Sequence, residues 1–190
     1  MLTTLMTPLP PVPDNADDDL HLWVPAAPVR HRLQFLASAL RLSPAAVALS
    51  CNLTSPIIRR LVSGVRMPRR LPAAYARQIA DVPIERLATR LALRVPVGLL
   101  VRSVGELLRR GHRLDTIADL LGVTPTTLAA TLTGPDRYQG STSLRTLVTA
   151  MAACWDIGAD LPGSESADVL NMLWGGEDDD EPAVDTPDGP

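Results

Sequence analysis

The chain has 190 residues and a mass of 20.4 kDa, enough for one medium domain or two small ones with tails; at 46% hydrophobic but only 3% aromatic, its core must be built from Leu, Ala and Val, which favours helices. All 18 basic residues are Arg and none is Lys, which excludes a phosphate-loop lysine, a Schiff-base lysine and a Ser-Lys dyad. The formal net charge of -3 hides a partition: residues 1–29 carry four acids and no Arg, residues 30–113 carry 16 Arg against Asp81, Glu85 and Glu106, and residues 114–190 carry two Arg and 14 acids.

Residues 1–19 are rich in Pro, Thr and Asp without periodicity and are expected to form a disordered N-terminal segment; their prolines and the lack of a basic start argue against a signal peptide. Residues 20–94 read as a basic helical domain, in which Leu33, Leu36, Ala37 and Leu40 recur at helical spacing. Between Asp19 and Asp81 there is no carboxylate, while nine Arg fall there. A surface built only for solubility mixes both signs, so this block makes a positive field suited to a polyanion.

Residues 93–101, broken by Pro96 and Gly98, read as a connector rather than a strand. Residues 95–174 read as a second helical domain, with apolar stripes at Leu107, Leu108, Ile117, Leu120 and Leu121 and at Leu144, Leu147, Val148 and Met151, and a short last helix over residues 166–173. Residues 175–190 hold seven carboxylates among Gly and Pro and are expected to be an acidic disordered tail. Trp23, Trp155 and Trp174 read as packing anchors. No run of about 18 apolar residues suggests a membrane span. Cys51 and Cys154 form no disulfide framework, which points to a reducing cytoplasm.

An internal repeat is the most informative feature. At a constant offset of 70, residues 47–64 align without gaps on residues 117–134, and both copies read as helix, tight turn, helix. Ala48 and Ala118 fall where two helices cross closely. Asn52 and Gly122 occupy a turn that needs a left-handed backbone. Leu53 and Val123 plug the core, Thr54 and Thr124 are expected to cap the second helix, and a proline sits just inside it. Ile58, Leu61 and Val62 in one copy, and Leu128 and Leu132 in the other, supply its buried stripe, and Gly64 and Gly134 end it.

With the form Val/Ile-Ala-x-x-x-Gly/Asn-Val/Leu-Thr, these residues resemble a helix-turn-helix. The order of a basic copy, a Val/Pro/Gly connector, a second copy and an acidic end is similar to the tandem helix-turn-helix, repressor-like DNA-binding proteins of actinobacteria and their phages, over residues 29–156. The stretch from Arg69 and Arg70 through Tyr75 to Val82 is similar to the helix that follows the motif in those proteins. The resemblance implies an all-α fold of two helix-turn-helix bundles in tandem, double-stranded DNA binding and transcriptional control, most simply repression.

On that footing, Ser55 and Arg59 share one face of the first recognition helix, where Arg59 can grip guanine bidentately in a major groove. Arg60, Arg66, Arg69 and Arg70 sit where phosphate contacts position a protein, and Thr54 can add one through the helix N-terminus. In the second copy Arg109, Arg110 and Arg113 precede the motif and are candidate phosphate-backbone contacts, though Glu106, Asp115 and Asp119 nearly cancel their charge. Its recognition helix offers only hydroxyls and methyls, with Thr126 and Thr127 as candidate contacts. The His and Cys residues have no metal-ligand spacing and no catalytic motif is found, so no catalytic residue, cofactor or metal is expected. The alternative reading is a protein-interaction adaptor or antitoxin-like module that uses these folds, above all the uncharged second copy, to bind a protein partner or itself. Residues 20–98 are expected to fold and bind DNA alone.

Overall fold

Three tripeptides of the form x-Val/Leu-Pro set the course of the chain. Each makes a short strand that ends at proline, whose ring fixes φ and whose missing N–H ends the ladder. The computed structural model describes residues 22–64, 66–134 and 139–158. Strand β1 (Trp23–Pro25) pairs antiparallel with β2 (Arg70–Pro72), with Val24 opposite Leu71; β3 (Arg94–Pro96) pairs likewise with β4 (Ser141–Ser143), with Val95 opposite Thr142.

Between β1 and β2 run α1 (Ala26–Leu40), α2 (Pro44–Ser50) and α3 (Pro56–Ser63), and α4 (Ala73–Ala80) follows β2. Between β3 and β4 run α6 (Gly98–Arg109), α7 (Leu114–Leu121) and α8 (Pro125–Thr133), and α9 (Leu144–Asp156) follows β4, while α5 (Ile84–Leu91) joins the halves. The described residues are mostly helical, with only these short strands. The repeat therefore extends beyond the aligned helix pairs to a whole strand, three helices, strand and helix. The segment read as a connector contains β3 and the start of α6. The first and last segments of the chain and the helix expected over residues 166–173 lie outside the described residues.

Local chemistry explains the helix ends. Asn52 (φ 55) and Gly122 (φ 67) both take the left-handed conformation. After them the backbone N–H of Leu53 donates to Ala48 O and that of Val123 to Ala118 O, at 2.9 and 3.0 Å. The cap of α3 differs from expectation: Ser55, not Thr54, accepts from the backbone N–H of Ile58, at 3.4 Å. Pro56 takes the first helical position, as Pro125 does in α8, so the residue before it must be the cap. A constant offset of 70 sets Ser55 against Pro125 and hides this one-residue difference. Gly134 is extended rather than left-handed, and there a Cβ would meet Ala130 O at 2.6 Å.

One hydrophobic core runs through both halves. Helix α2 is its centre: Ala45 to Ser50 are all buried, and the alanines let α1 approach on one side and α9 on the other. Helix α9 belongs to the second half by sequence yet packs against α2 as extensively as against α6. It can do so because it continues past the length of its counterpart α4, which stops ahead of Pro83. Leu144, Leu147, Val148, Met151 and Trp155 on α9 are buried, whereas Leu108 and Leu120 are exposed. They fall outside the buried stripes because α6 and α7 bury one face only. Trp23 is also exposed rather than a packing anchor.

Two guanidinium groups tie the halves together. Arg145, near the start of α9, donates to Leu40 O at 2.7 Å and Arg41 O at 3.1 Å, capping the open end of α1. Arg59 on α3 donates to Trp155 O at 2.9 Å, at the other end of α9. Terminal helix carbonyls lack intrahelical partners and carry partial negative charge, so a cationic donor suits both. Against the expectation that residues 20–98 fold alone, cutting the chain after residue 98 removes α9 and uncovers α2, whose largest partner is α9. That fragment is expected to lose the cooperative thermal transition and near-ultraviolet circular dichroism of the full chain, and Arg145→Ala in the full chain to lower the unfolding free energy by about 1 kcal/mol in denaturant titration.

Candidate nucleic-acid interface

Helix α3 carries its polar side chains on the face opposite Ile58 and Leu61, which are buried against α1 and α2. Thr54 and Ser55 lie half-buried in the turn, with the Ser55 hydroxyl committed to its cap. Arg59 is half-buried and directed at α9. Arg60 is exposed, its Nε 3.4 Å from Pro56 O one turn back.

Beyond Gly64, which ends α3 in a left-handed conformation, Arg66 takes a second one (φ 48) and turns the chain toward β2. Arg66, Arg69 and Arg70 are all exposed there. The backbone carbonyl of Arg69 accepts from the N–H of Ala26 at 3.0 Å, and Arg70 is paired with Pro25, so the segment is held by main-chain bonds while its guanidinium groups face solvent. Among the described residues no carboxylate forms an ion pair with Arg60, Arg66, Arg69 or Arg70.

The second half is built on the same plan with the opposite electrostatic result. Arg109 and Arg110 both pair with Glu106, the latter at 3.0 Å, and Arg113 pairs with Asp115 at 2.8 Å. The Asp115 carboxyl is held below its usual range, first by the Thr116 backbone N–H and then by Arg113. Helix α8 presents Thr126, Thr127 and Ala130 to solvent and fully buries only Leu128. Thr127 shares a 2.8 Å hydroxyl contact with Thr124, and Thr131 and Thr133 donate back to carbonyls of their own helix. These hydroxyls are largely occupied locally.

Burial pushes the Cys51 thiol up to about 12 and the Cys154 thiol to about 11, so neither is a thiolate near neutral pH. Among the described residues no group of three or more His, Cys, Asp or Glu could hold a metal ion. No single described helix is long and apolar enough to cross a membrane.

The structure leaves Arg60, Arg66, Arg69 and Arg70 exposed along the chain from α3 into β2, whereas Arg59 is engaged with the end of α9. Sequence spacing placed Arg59 on the outward face but gave no sign that the end of α9, 96 residues later, would meet it. Comparison with known proteins returned no match: no family model, curated protein or solved structure matches this chain.

The Arg59 contact has a pH signature. Partial burial raises the Asp156 carboxyl above its usual range, and Arg59 opposes that rise. A group that holds its proton more tightly folded than unfolded adds stability at pH below its unfolded titration, and that contribution is lost as pH rises through the folded titration. Arg59→Ala is therefore expected to raise the Asp156 titration further, which carboxyl-carbon NMR across the acidic range would read directly.

Proposed function

We propose that the chain is a sequence-specific double-stranded DNA-binding protein, a transcriptional regulator acting as a repressor, that contacts DNA through the first of two tandem helix-turn-helix units. The observation that carries this reading is the set of exposed arginines Arg60, Arg66, Arg69 and Arg70 along the stretch from α3 into β2, which pair with no carboxylate among the described residues, set against the internally paired arginines of the second half. Exposed guanidinium groups with no carboxylate partner among the described residues suit phosphate and base-edge contacts. The buried, unpaired Cys51 and Cys154 are consistent with a reducing cytoplasm as its location.

In this reading α3 enters the major groove and Arg60 takes the base-reading role, because Arg59 is engaged with Trp155 O. Ser55, committed as a cap, and Thr54 support the helix end beside a phosphate. Arg66, Arg69 and Arg70 position the protein on the backbone. The unequal halves suit a monomer on a non-palindromic site, since equal half-sites need equal readers.

A second reading, docking of a protein partner or a second copy of the chain on the second unit, is favoured by α8. That helix shows a small, uncharged outer face and borders a cleft of about 510 Å³ lined by Leu100, Val123, Leu128, Thr131 and Thr142. Thr126 and Thr127 would then face a partner rather than phosphate.

Selection of bound sites from a random duplex pool, followed by salt titration, tests the DNA reading. Arg60→Ala is expected to cost about 1–3 kcal/mol on the selected site and relax preference at one base pair, whereas Arg69→Ala should weaken all duplexes alike and lower the salt slope by about one. Arg59→Ala should leave the base preference unchanged. A flat salt dependence for the full chain would refute phosphate contact.

A further inference from the structure

The outer face of the β1–β2 ribbon has no part in the helix contacts described above. Its register pairs Trp23 with Pro72, Val24 with Leu71 and Pro25 with Arg70. Side chains alternate along a strand, so Val24 and the fully buried Leu71 turn to the core, while Trp23, Pro25, Arg70 and Pro72 share the opposite face. Trp23 is 50% exposed and its neighbour Leu22 42%. Met67, three residues before the ribbon, is 44% exposed.

Large apolar side chains this open to water are costly, and here they stand within a run of arginines. Trp23 and Arg70 are diagonal neighbours across the ribbon, a spacing that long side chains can span. Arg69 and Arg66 follow on the approach from α3. The matching face of the β3–β4 ribbon offers Arg94, Pro96, Ser141 and Ser143, with no aromatic group. Pro25 and Pro72 also lack the N–H groups that an added peptide strand would need, so strand addition is a poor fit for this surface. An apolar wedge flanked by arginines is the chemistry that enters a DNA minor groove: apolar side chains press into a base step while Arg follows the negative potential of the narrow groove.

We propose that the β1–β2 ribbon is a second DNA contact, inserting Trp23 at a minor-groove base step with Arg70 along the groove, next to the segment met by α3. The inference rests on the DNA-binding reading above. It adds to that reading a preference for A·T pairs and for deformable steps flanking the major-groove site, at positions α3 does not reach.

The test uses the full chain and a fluorescein-labelled duplex carrying the site selected from a random pool, with Trp23→Ala, Trp23→Phe and Arg70→Ala compared by anisotropy. Trp23 is half open to solvent, so far-ultraviolet circular dichroism should show the folded state kept. Trp23→Ala is expected to lose about ten-fold in affinity with an unchanged salt slope, and Trp23→Phe to regain most of it. Arg70→Ala should lower both affinity and slope. Netropsin, which fills the minor groove of A·T tracts, should weaken the parent protein more than it weakens Trp23→Ala. A parent that binds the duplex with an Arg69-dependent salt slope while Trp23→Ala is indistinguishable from it overturns the ribbon contact alone. A parent that binds no duplex overturns the DNA reading and this inference together.

Discussion

The fold depends on the contact between α2 and α9. Helix α2 has seven residues, is buried almost throughout, and is too short to be stable by itself, so packing on both of its sides is what holds it. One side is covered by α1 from its own half, the other by α9 from the far half. The arginine clamps follow from that arrangement. Bringing α9 across α2 sets the start of α9 beside the open carbonyls of α1 and its end beside α3, and Arg145 and Arg59 satisfy the groups left there.

Placing α9 in this way changes what each half is free to do. The first unit gives up Arg59 to structure and keeps Arg60, Arg66, Arg69 and Arg70 on its outer surface. The second unit supplies the bridging helix, and its α8 is left on the outside with a single fully buried side chain. The two units are thus alike in plan and unlike in role: one carries arginines that pair with no carboxylate among the described residues, the other completes the core. The open carbonyls of α1 are satisfied here across the junction, and Trp155 O, which already accepts from the Gly158 N–H, gains a cationic donor.

The electrostatic contrast has a local origin. Glu106 sits three and four residues before Arg109 and Arg110, the spacing at which helix side chains meet, and Asp115 lies within reach of Arg113. No carboxylate stands at comparable spacing from Arg60 or Arg66 to Arg70. The contrast between the halves is written in short-range sequence, and the fold adds to it by turning β2 so that Arg70 faces out while Leu71 faces in.

What the sequence determined by itself was whatever depends on neighbours a few residues apart. The helical character, the left-handed turns at Asn52 and Gly122, the prolines at helix starts, the one-sided charge of residues 30–77 and the pairing of Arg109, Arg110 and Arg113 all follow from spacing within one or two turns. The tripeptides at Trp23, Arg70 and Arg94 are each too short for alternation to declare a strand, and their pairing partners lie 45 to 49 residues away. The tertiary structure alone decided that α9 crosses to the first half, that Leu108 and Leu120 face solvent, that Arg59 binds a carbonyl and that Trp23 is left exposed. Each of these depends on a surface supplied from far along the chain, and periodicity records which face of a helix is apolar but not what will cover it.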